Sequence, residues 1–226
     1  MLKLLLGRAG TGKTRALLEA MAAGDGRPQI LIVPEQHSHS MERQLCAIGG
    51  SRVSLFAEVL SFTRLANRVF SVYGGLAAPA LDGGGRLLLL CAALRSVAPE
   101  LRVYQRPSRK PAFLSGLLAT VDELKTCRIT PEQLWTAGEE SGGGEGDKLR
   151  DLSLIYGAYE AMTARQGADP RDRLTRLAEA LTREDWAVGK DFYLDAFTDF
   201  TPQERAVLST LLGKAQEAQK VREKLE

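Results

Sequence analysis

Leu2-Lys3-Leu4-Leu5-Leu6-Gly7-Arg8-Ala9-Gly10-Thr11-Gly12-Lys13-Thr14 is the stretch that decides the fold. A short apolar run, residues 2–6, reads as a strand ending at Gly7, and good helix material follows over 14–21. Between them, Gly7 to Thr14 matches G-x-x-x-x-G-K-[ST] in full. Glycine lets the backbone wrap closely, so its N–H groups converge on phosphate oxygens at a helix N-terminus. In that chemistry Lys13 supplies a point charge to the β- and γ-phosphates, and the Thr14 hydroxyl ligates Mg2+. At ordinary glycine usage, a chain this long matches the pattern by chance on the order of one time in a hundred. The expectation is a phosphate loop made by Gly7, Arg8, Ala9, Gly10, Thr11, Gly12, Lys13 and Thr14. An ordinary glycine-rich strand-to-helix turn is the alternative.

The alternation continues outward. Residues 29–33 are a β-branched run closed by Pro34, the mark of a buried strand. A helix is expected over 40–48, a strand over 53–59 and a helix over 62–73. This rhythm predicts a parallel sheet. From about 80 to 190 the strand signal disappears. Residues 86–96 and 113–126 are apolar on helical spacing, and Thr130-Pro131-Glu132-Gln133 is a compact helix start. The glycine-rich segment 141–146 reads as a flexible loop. Beyond it, Leu149, Leu152, Ile155, Tyr156, Tyr159 and Met162 make one helical stripe, and Asp169-Pro170 opens a further helix. A short strand returns at 191–195, then a helix opened by Thr201-Pro202-Gln203-Glu204. The organisation expected is a P-loop α/β core from 1–76 and 188–212, an all-helical insertion at 77–187, and a charged tail or truncated end at 213–226.

A phosphate loop of this kind needs a carboxylate at the end of a neighbouring strand to hold the metal. Asp195, closing Phe192-Tyr193-Leu194, is the candidate. Many hydrolases place Glu next, to polarise the attacking water, whereas Ala196 stands here. A methyl group accepts no proton, so ATP–Mg2+ binding with slow or absent hydrolysis is expected. Asp199, or a residue from a partner chain, is the alternative source of that function.

The chain has 226 residues, 44% hydrophobic and 26% charged, ordinary for a globular protein. Its 30 Lys+Arg against 28 Asp+Glu leave a net charge of +2, which argues against an arginine-rich nucleic-acid binder. No apolar run approaches the roughly 20 residues that span a bilayer, and the apolar start is too short for a signal peptide. Cys46, Cys91 and Cys127 are far apart and lack C-x-x-C spacing, so each is expected as a buried small hydrophobe in a reducing cytoplasm. His37 and His39 lack the further ligands a metal needs. Arg102, Arg106, Arg109 and Lys110 form a basic run read as a solvated loop, with phosphate contact as the alternative. Trp135 and Trp186 are expected at the core or its rim.

Four segments together carry a resemblance: GRAGTGKT at 7–14, LIVPEQHSHSMERQL at 31–45, EVLSFTRLANRV at 58–69 and YLDAFTDFTPQE at 193–204. In order and spacing the chain resembles the N-terminal helicase-like region of the B subunit of bacterial AddAB helicase–nucleases. That resemblance implies a RecA-like core with a helical insertion, as in the 1A and 1B domains of superfamily 1 helicases. It implies DNA contacts from Pro34, Glu35 and Gln36 and from Ser61, Phe62 and Arg64, with packing of Phe62 under the sheet an equal alternative. It also implies ATP and Mg2+ held by the loop, Thr14 and Asp195, an AddA-type partner carrying the motor, single- and double-stranded DNA as ligands, and a bacterial cytoplasmic location. The family's nuclease domain and iron–sulfur cluster find no counterpart in this sequence. A hydrolysis-competent motor fragment and a small-molecule P-loop kinase are the rival readings.

Overall fold

The computed structural model describes residues 3–24, 26–77, 79–105 and 111–225, the side chains of 111 and 215–225 excepted. Helix α1 (Lys13–Ala22) leads to strand β1 (Gln29–Ile32), α2 (Ser38–Gly49), β2 (Ala57–Leu60) and α3 (Phe62–Tyr73). Helices α4 (Gly83–Val97), α5 (Pro111–Thr126), α6 (Pro131–Ser141), α7 (Gly143–Gln166) and α8 (Arg173–Arg183) follow. Strand β3 (Asp191–Leu194) and helix α9 (Pro202–Leu225) complete the order. The chain divides into an α/β unit (Met1–Gly75, Leu174–Phe200, Glu204–Glu226) and a helical unit (Leu76–Arg173, Thr201–Gln203).

In the α/β unit strands β1, β2 and β3 are parallel in the order β2-β1-β3. Alternation along β1 sends Ile30 and Ile32 to one face and Leu31 and Val33 to the other. The first face packs Leu65, Val69, Leu177, Leu181, Trp186 and Val207 from α3, α8, the loop after it and α9. The second packs Leu18 and Met21 of α1 and Met41 and Leu45 of α2. A strand covered on both faces reads as an unbroken apolar run, which is why residues 29–33 are legible in the sequence. Helix α8, expected above as part of the helical block, therefore packs in the α/β unit.

The structure corrects several local expectations. Residues 3–8 form no strand, and Leu4, Leu5 and Leu6 are 72%, 57% and 89% exposed. A strand exists only where a neighbour takes up its backbone hydrogen bonds, and composition alone does not supply that neighbour. The run 53–59 splits into a 3-10 turn at Val53–Leu55 and a strand beginning at Ala57. Cys46 and Cys127 are exposed rather than buried, because one lies on the outward side of α2 and the other just past the end of α5.

The helical unit has its own core, built on Leu90, Leu94, Leu117, Val121, Ile155 and Tyr159. Thr130 caps α6 as its sequence announces: its hydroxyl accepts from Gln133 N at 3.3 Å, and Gln133 Oε1 accepts from Thr130 N at 2.9 Å. The glycine-rich segment 141–146 is not a loop, since α7 starts at Gly143. A Cβ added at Gly146 would run into the Gly138 carbonyl oxygen, so this glycine serves the close approach of α6 and α7. Entry and exit of the unit lie side by side, with Leu81 N donating to Ala168 O (3.0 Å) and Ala168 N to Pro79 O (3.1 Å).

A buried ionic cluster sits beside that junction. Asp169 accepts from Tyr159 OH at 2.8 Å and pairs with Arg86 (3.0 Å) and Lys125 (3.3 Å). Lys125 also holds Asp172 (2.7 Å) and Glu160, while Asp122 takes Arg86 and Arg171. Burial pushes the Tyr156 phenol up to about 12, and burial with Asp169 raises Tyr159 as well. Burial alone would lower Lys125, but Asp172 and Glu160 outweigh it and raise it above the ordinary lysine range. All three groups act with one sign at high pH. Unfolded tyrosine and lysine lose their protons near pH 10, while the folded chain keeps them. Stability is therefore expected to fall from about pH 10 to 12, by about 1.4 kcal/mol per pH unit for each such group. Urea unfolding at pH 9 and 11 checks this, and equal midpoints would count against it.

Candidate nucleotide site

Strand direction gathers the candidate residues. The short segment 23–28 ties the C-terminus of α1 to the start of β1, so the N-terminus of α1 lies toward the carboxyl edge of the sheet. Pro34 follows β1, Ser61 follows β2 and Asp195 follows β3 at that same edge. Parallel sheets present their ligand crevices there.

The loop at 7–12 is exposed, and Lys13 and Thr14 are half-buried. Gly10 and Gly12 have φ of 78° and 83°, the left-handed region that admits glycine most readily. Gly12 is the N-cap of α1, with no side-chain cap and no acidic residue in the first turn. The first N–H groups of α1 thus have no intrahelical acceptor and carry the positive end of the helix dipole. Lys13 Nζ donates to the carbonyls of Gly7 and Arg8, both at 2.8 Å, and Thr11 Oγ1 donates to Arg8 O at 2.9 Å. These bonds hold the ammonium inside the loop.

Asp195 directly follows β3, its N–H donating to Ile32 O at 3.2 Å. One carboxylate oxygen, Oδ1, accepts from Ala196 N at 2.8 Å. The other, Oδ2, is buried with no hydrogen-bond partner among the described residues. A buried carboxylate oxygen without a donor is costly unless a cation or water completes it. Glycines at positive φ, an uncapped helix N-terminus and this oxygen fit a triphosphate with a divalent cation. Asp199 is occupied differently: it pairs with Arg205 at 2.9 Å and accepts from Phe200 N at 2.7 Å. That N–H and Arg205 lower its pKa.

The remaining sequence candidates separate into two groups. Glu35, Gln36 and Arg64 are exposed, and Pro34 is half-buried at the head of a 3-10 turn, Glu35–His37. Ser61 is buried and caps α3, accepting from Arg64 N at 3.2 Å. Phe62 is 6% exposed and lies against Phe197, with ring centroids 5.6 Å apart. Of its two readings, packing under the sheet is the one seen. Along the outer edge of β2 runs a cavity of 550 Å3 lined by Glu42, Cys46, Glu58, Arg64, Asn67 and Arg68 among others. Arg102 pairs with Asp147 at 2.6 Å, and the rest of its basic run, 106–110, lies outside the described residues. Trp186 is buried and Trp135 is 40% exposed. Among the described residues no group of His, Cys, Asp and Glu side chains could hold a metal by itself, and no helix is long and apolar enough to cross a membrane. Sequence reasoning misses the left-handed Ala196 (φ 65°), and no pattern in the chain signals it.

Comparison with known proteins agrees with the quoted motifs. The family described as "ADDB, N-terminal" matches residues 4–221. The B subunit of the ATP-dependent helicase/deoxyribonuclease of Thermoanaerobacter sp. (strain X514) is 37% identical over 219 residues, covering 95% of this chain. The B subunits of the same name from Desulforudis audaxviator (strain MP104C) and Desulforamulus reducens are 40% and 36% identical, also over 95% of this chain. The chain spans 19% of each relative's own length. It belongs to the ADDB N-terminal family.

Proposed function

We propose that this chain is the nucleotide-binding, helicase-like region of a DNA-end-processing helicase–nuclease, built on a RecA-like P-loop core. The unpartnered Asp195 Oδ2 at the carboxyl edge, the edge that also takes the N-terminus of α1, carries the reading. The N–H groups of Gly10 to Thr14 bind the phosphates, Lys13 exchanges its loop carbonyls for phosphate oxygens, and Thr14 and Asp195 hold the cation. The bound cation supplies charge neutralisation across the phosphates. Ala196 offers no base to a water, so the site binds ATP with little or no hydrolysis and supports DNA scanning and assembly. An AddA-type partner in the bacterial cytoplasm carries the motor. Glu35, Gln36 and Arg64, which are exposed, are the side chains that meet DNA in this reading.

Equilibrium binding of a fluorescent ATP analogue with Mg2+ tests the proposal. A lost charge-assisted hydrogen bond costs about 1.5–3 kcal/mol, so Lys13→Ala is expected to weaken binding by about ten- to a hundredfold. Equal binding by variant and parent sinks the assignment. Sustained phosphate release by the parent chain sinks its non-hydrolytic half.

A further inference from the structure

Strand β2 stands at the edge of the sheet, and no strand among the described residues pairs with its outer side. The ladder fixes which groups face outward. Gln29 N donates to Phe56 O at 2.7 Å and Val33 N to Leu60 O at 3.0 Å, so the main-chain groups of Glu58 and Leu60 turn toward β1. Those of Ala57 and Val59 turn away from it. An edge of this kind is a template for one further strand. It borders the 550 Å3 cavity, which residues of α2 and α3 also line. Helix α2 packs on the Leu31 face of the sheet and α3 on the Ile30 face, so the two helices flank the edge from opposite sides. Ala57 and Val59 are 6% and 4% exposed, even as residues of an edge strand. The edge is therefore recessed. A single extended chain enters such a slot, whereas the edge of a second copy, flanked by its own α2 and α3, does not reach it.

The lining selects among occupants by charge. Helix α2 contributes Glu42, Leu45 and Cys46, and α3 contributes Arg64, Asn67 and Arg68. Arg68 is paired with Glu58 at 2.7 Å, and Arg64 is the side chain given to DNA above. Glu42 is exposed and its carboxylate pairs with no described residue, which leaves one open negative charge on the α2 wall. Two carboxylates and no aromatic ring in the lining suit a nucleic-acid strand poorly, since that ligand calls for phosphate neutralisation and stacking. We propose that the outer edge of β2 binds an extended segment of another protein, which pairs with Ala57 and Val59 and sets a Lys or Arg against Glu42. Main-chain hydrogen bonds supply the affinity, and alternate side chains supply the selectivity. Successive side chains of a strand point to opposite faces, so those two before and two after the cation lie along the α2 wall, and those between lie along the α3 wall. The proposal stands independently of the nucleotide reading.

The probe is a capped synthetic peptide, Thr-Val-Thr-Lys-Thr-Val-Thr, titrated to millimolar concentration into the isotope-labelled full chain and followed by NMR. The amides of Ala57 and Val59 are expected to shift and to exchange on the order of tenfold more slowly, while Phe192 and Leu194 of the opposite edge strand stay unchanged. The same peptide N-methylated throughout offers no main-chain donor and is expected to bind roughly tenfold more weakly or worse. Glu42→Lys, at an exposed helix position, is expected to weaken the Lys peptide several-fold and to favour the peptide carrying Glu in place of Lys. A folding defect does not produce that reversal. Unmoved Ala57 and Val59 amides overturn the proposal, as does binding that N-methylation leaves intact or a Glu42→Lys chain with unchanged preference. Shifts at Ala57 and Val59 that grow with chain concentration alone overturn it in favour of a second copy. The same shifts produced by oligothymidine overturn it in favour of DNA.

Discussion

Asp169→Ala is expected to lower the stability of the helical unit by about 3–5 kcal/mol, the range for stripping one partner from a buried ion pair. The Asp169 side chain is fully buried and serves Arg86, Lys125, Tyr159 and the backbone N–H of Arg171, the last at 2.9 Å. Arg86 and Lys125 are themselves buried, so water cannot replace the lost charge at low cost. Burial works against ionisation of Asp169, but the Arg171 N–H, Lys125, Tyr159 and Arg86 outweigh it and hold its pKa below the ordinary value. Its stabilisation is therefore complete above the unfolded pKa near 4 and lost as pH falls through the folded one. Glu160 and Asp172 run the other way, since burial raises both. Urea unfolding at pH 7 reads the effect of Asp169→Ala. A loss under about 1 kcal/mol would mean the cluster is already hydrated.

Asp151→Ala is expected to cost roughly 2–4 kcal/mol, or a fall in Tm on the order of 5–15 °C. Asp151 is 1% exposed on α7 and collects three consecutive backbone N–H groups. Arg102 N donates at 3.0 Å, Val103 N at 2.7 Å and Tyr104 N at 2.9 Å. Hydrogen bonds to a charged acceptor are the strong class, and their removal leaves three part-buried donors without that acceptor. Asp151→Asn keeps an acceptor oxygen and should lose less. Thermal unfolding of the three proteins checks the order, and equal Tm values for Asp151→Ala and the parent would show that the turn is held by other contacts.

Local signals are legible where they depend on neighbours in the chain. Thr130 and Gln133 form the capping box their spacing announces, and the apolar run at 29–33 is the central strand. Signals that depend on a partner far along the chain mislead. Gly146 reads as part of a loop because a glycine required by the Gly138 carbonyl and a glycine required by flexibility are the same letter. Asp169 looks like a helix cap and is one, but its heavier duty is to Arg86 and Lys125, 83 and 44 positions earlier. Phe62 offers two readings at equal weight, and Phe197, 135 residues on, chooses between them.

The order of residues settled this protein's phosphate-loop motif, the parallel character of its sheet and its family membership. Each is written in short-range spacing or in side-chain type, which folding does not alter. Three-dimensional packing alone decided that residues 3–6 stay outside the sheet and that Asp195 keeps one oxygen free. Those outcomes hang on hydrogen-bond partners that distant segments supply or withhold. Their positions relative to one another exist only once the chain has closed upon itself.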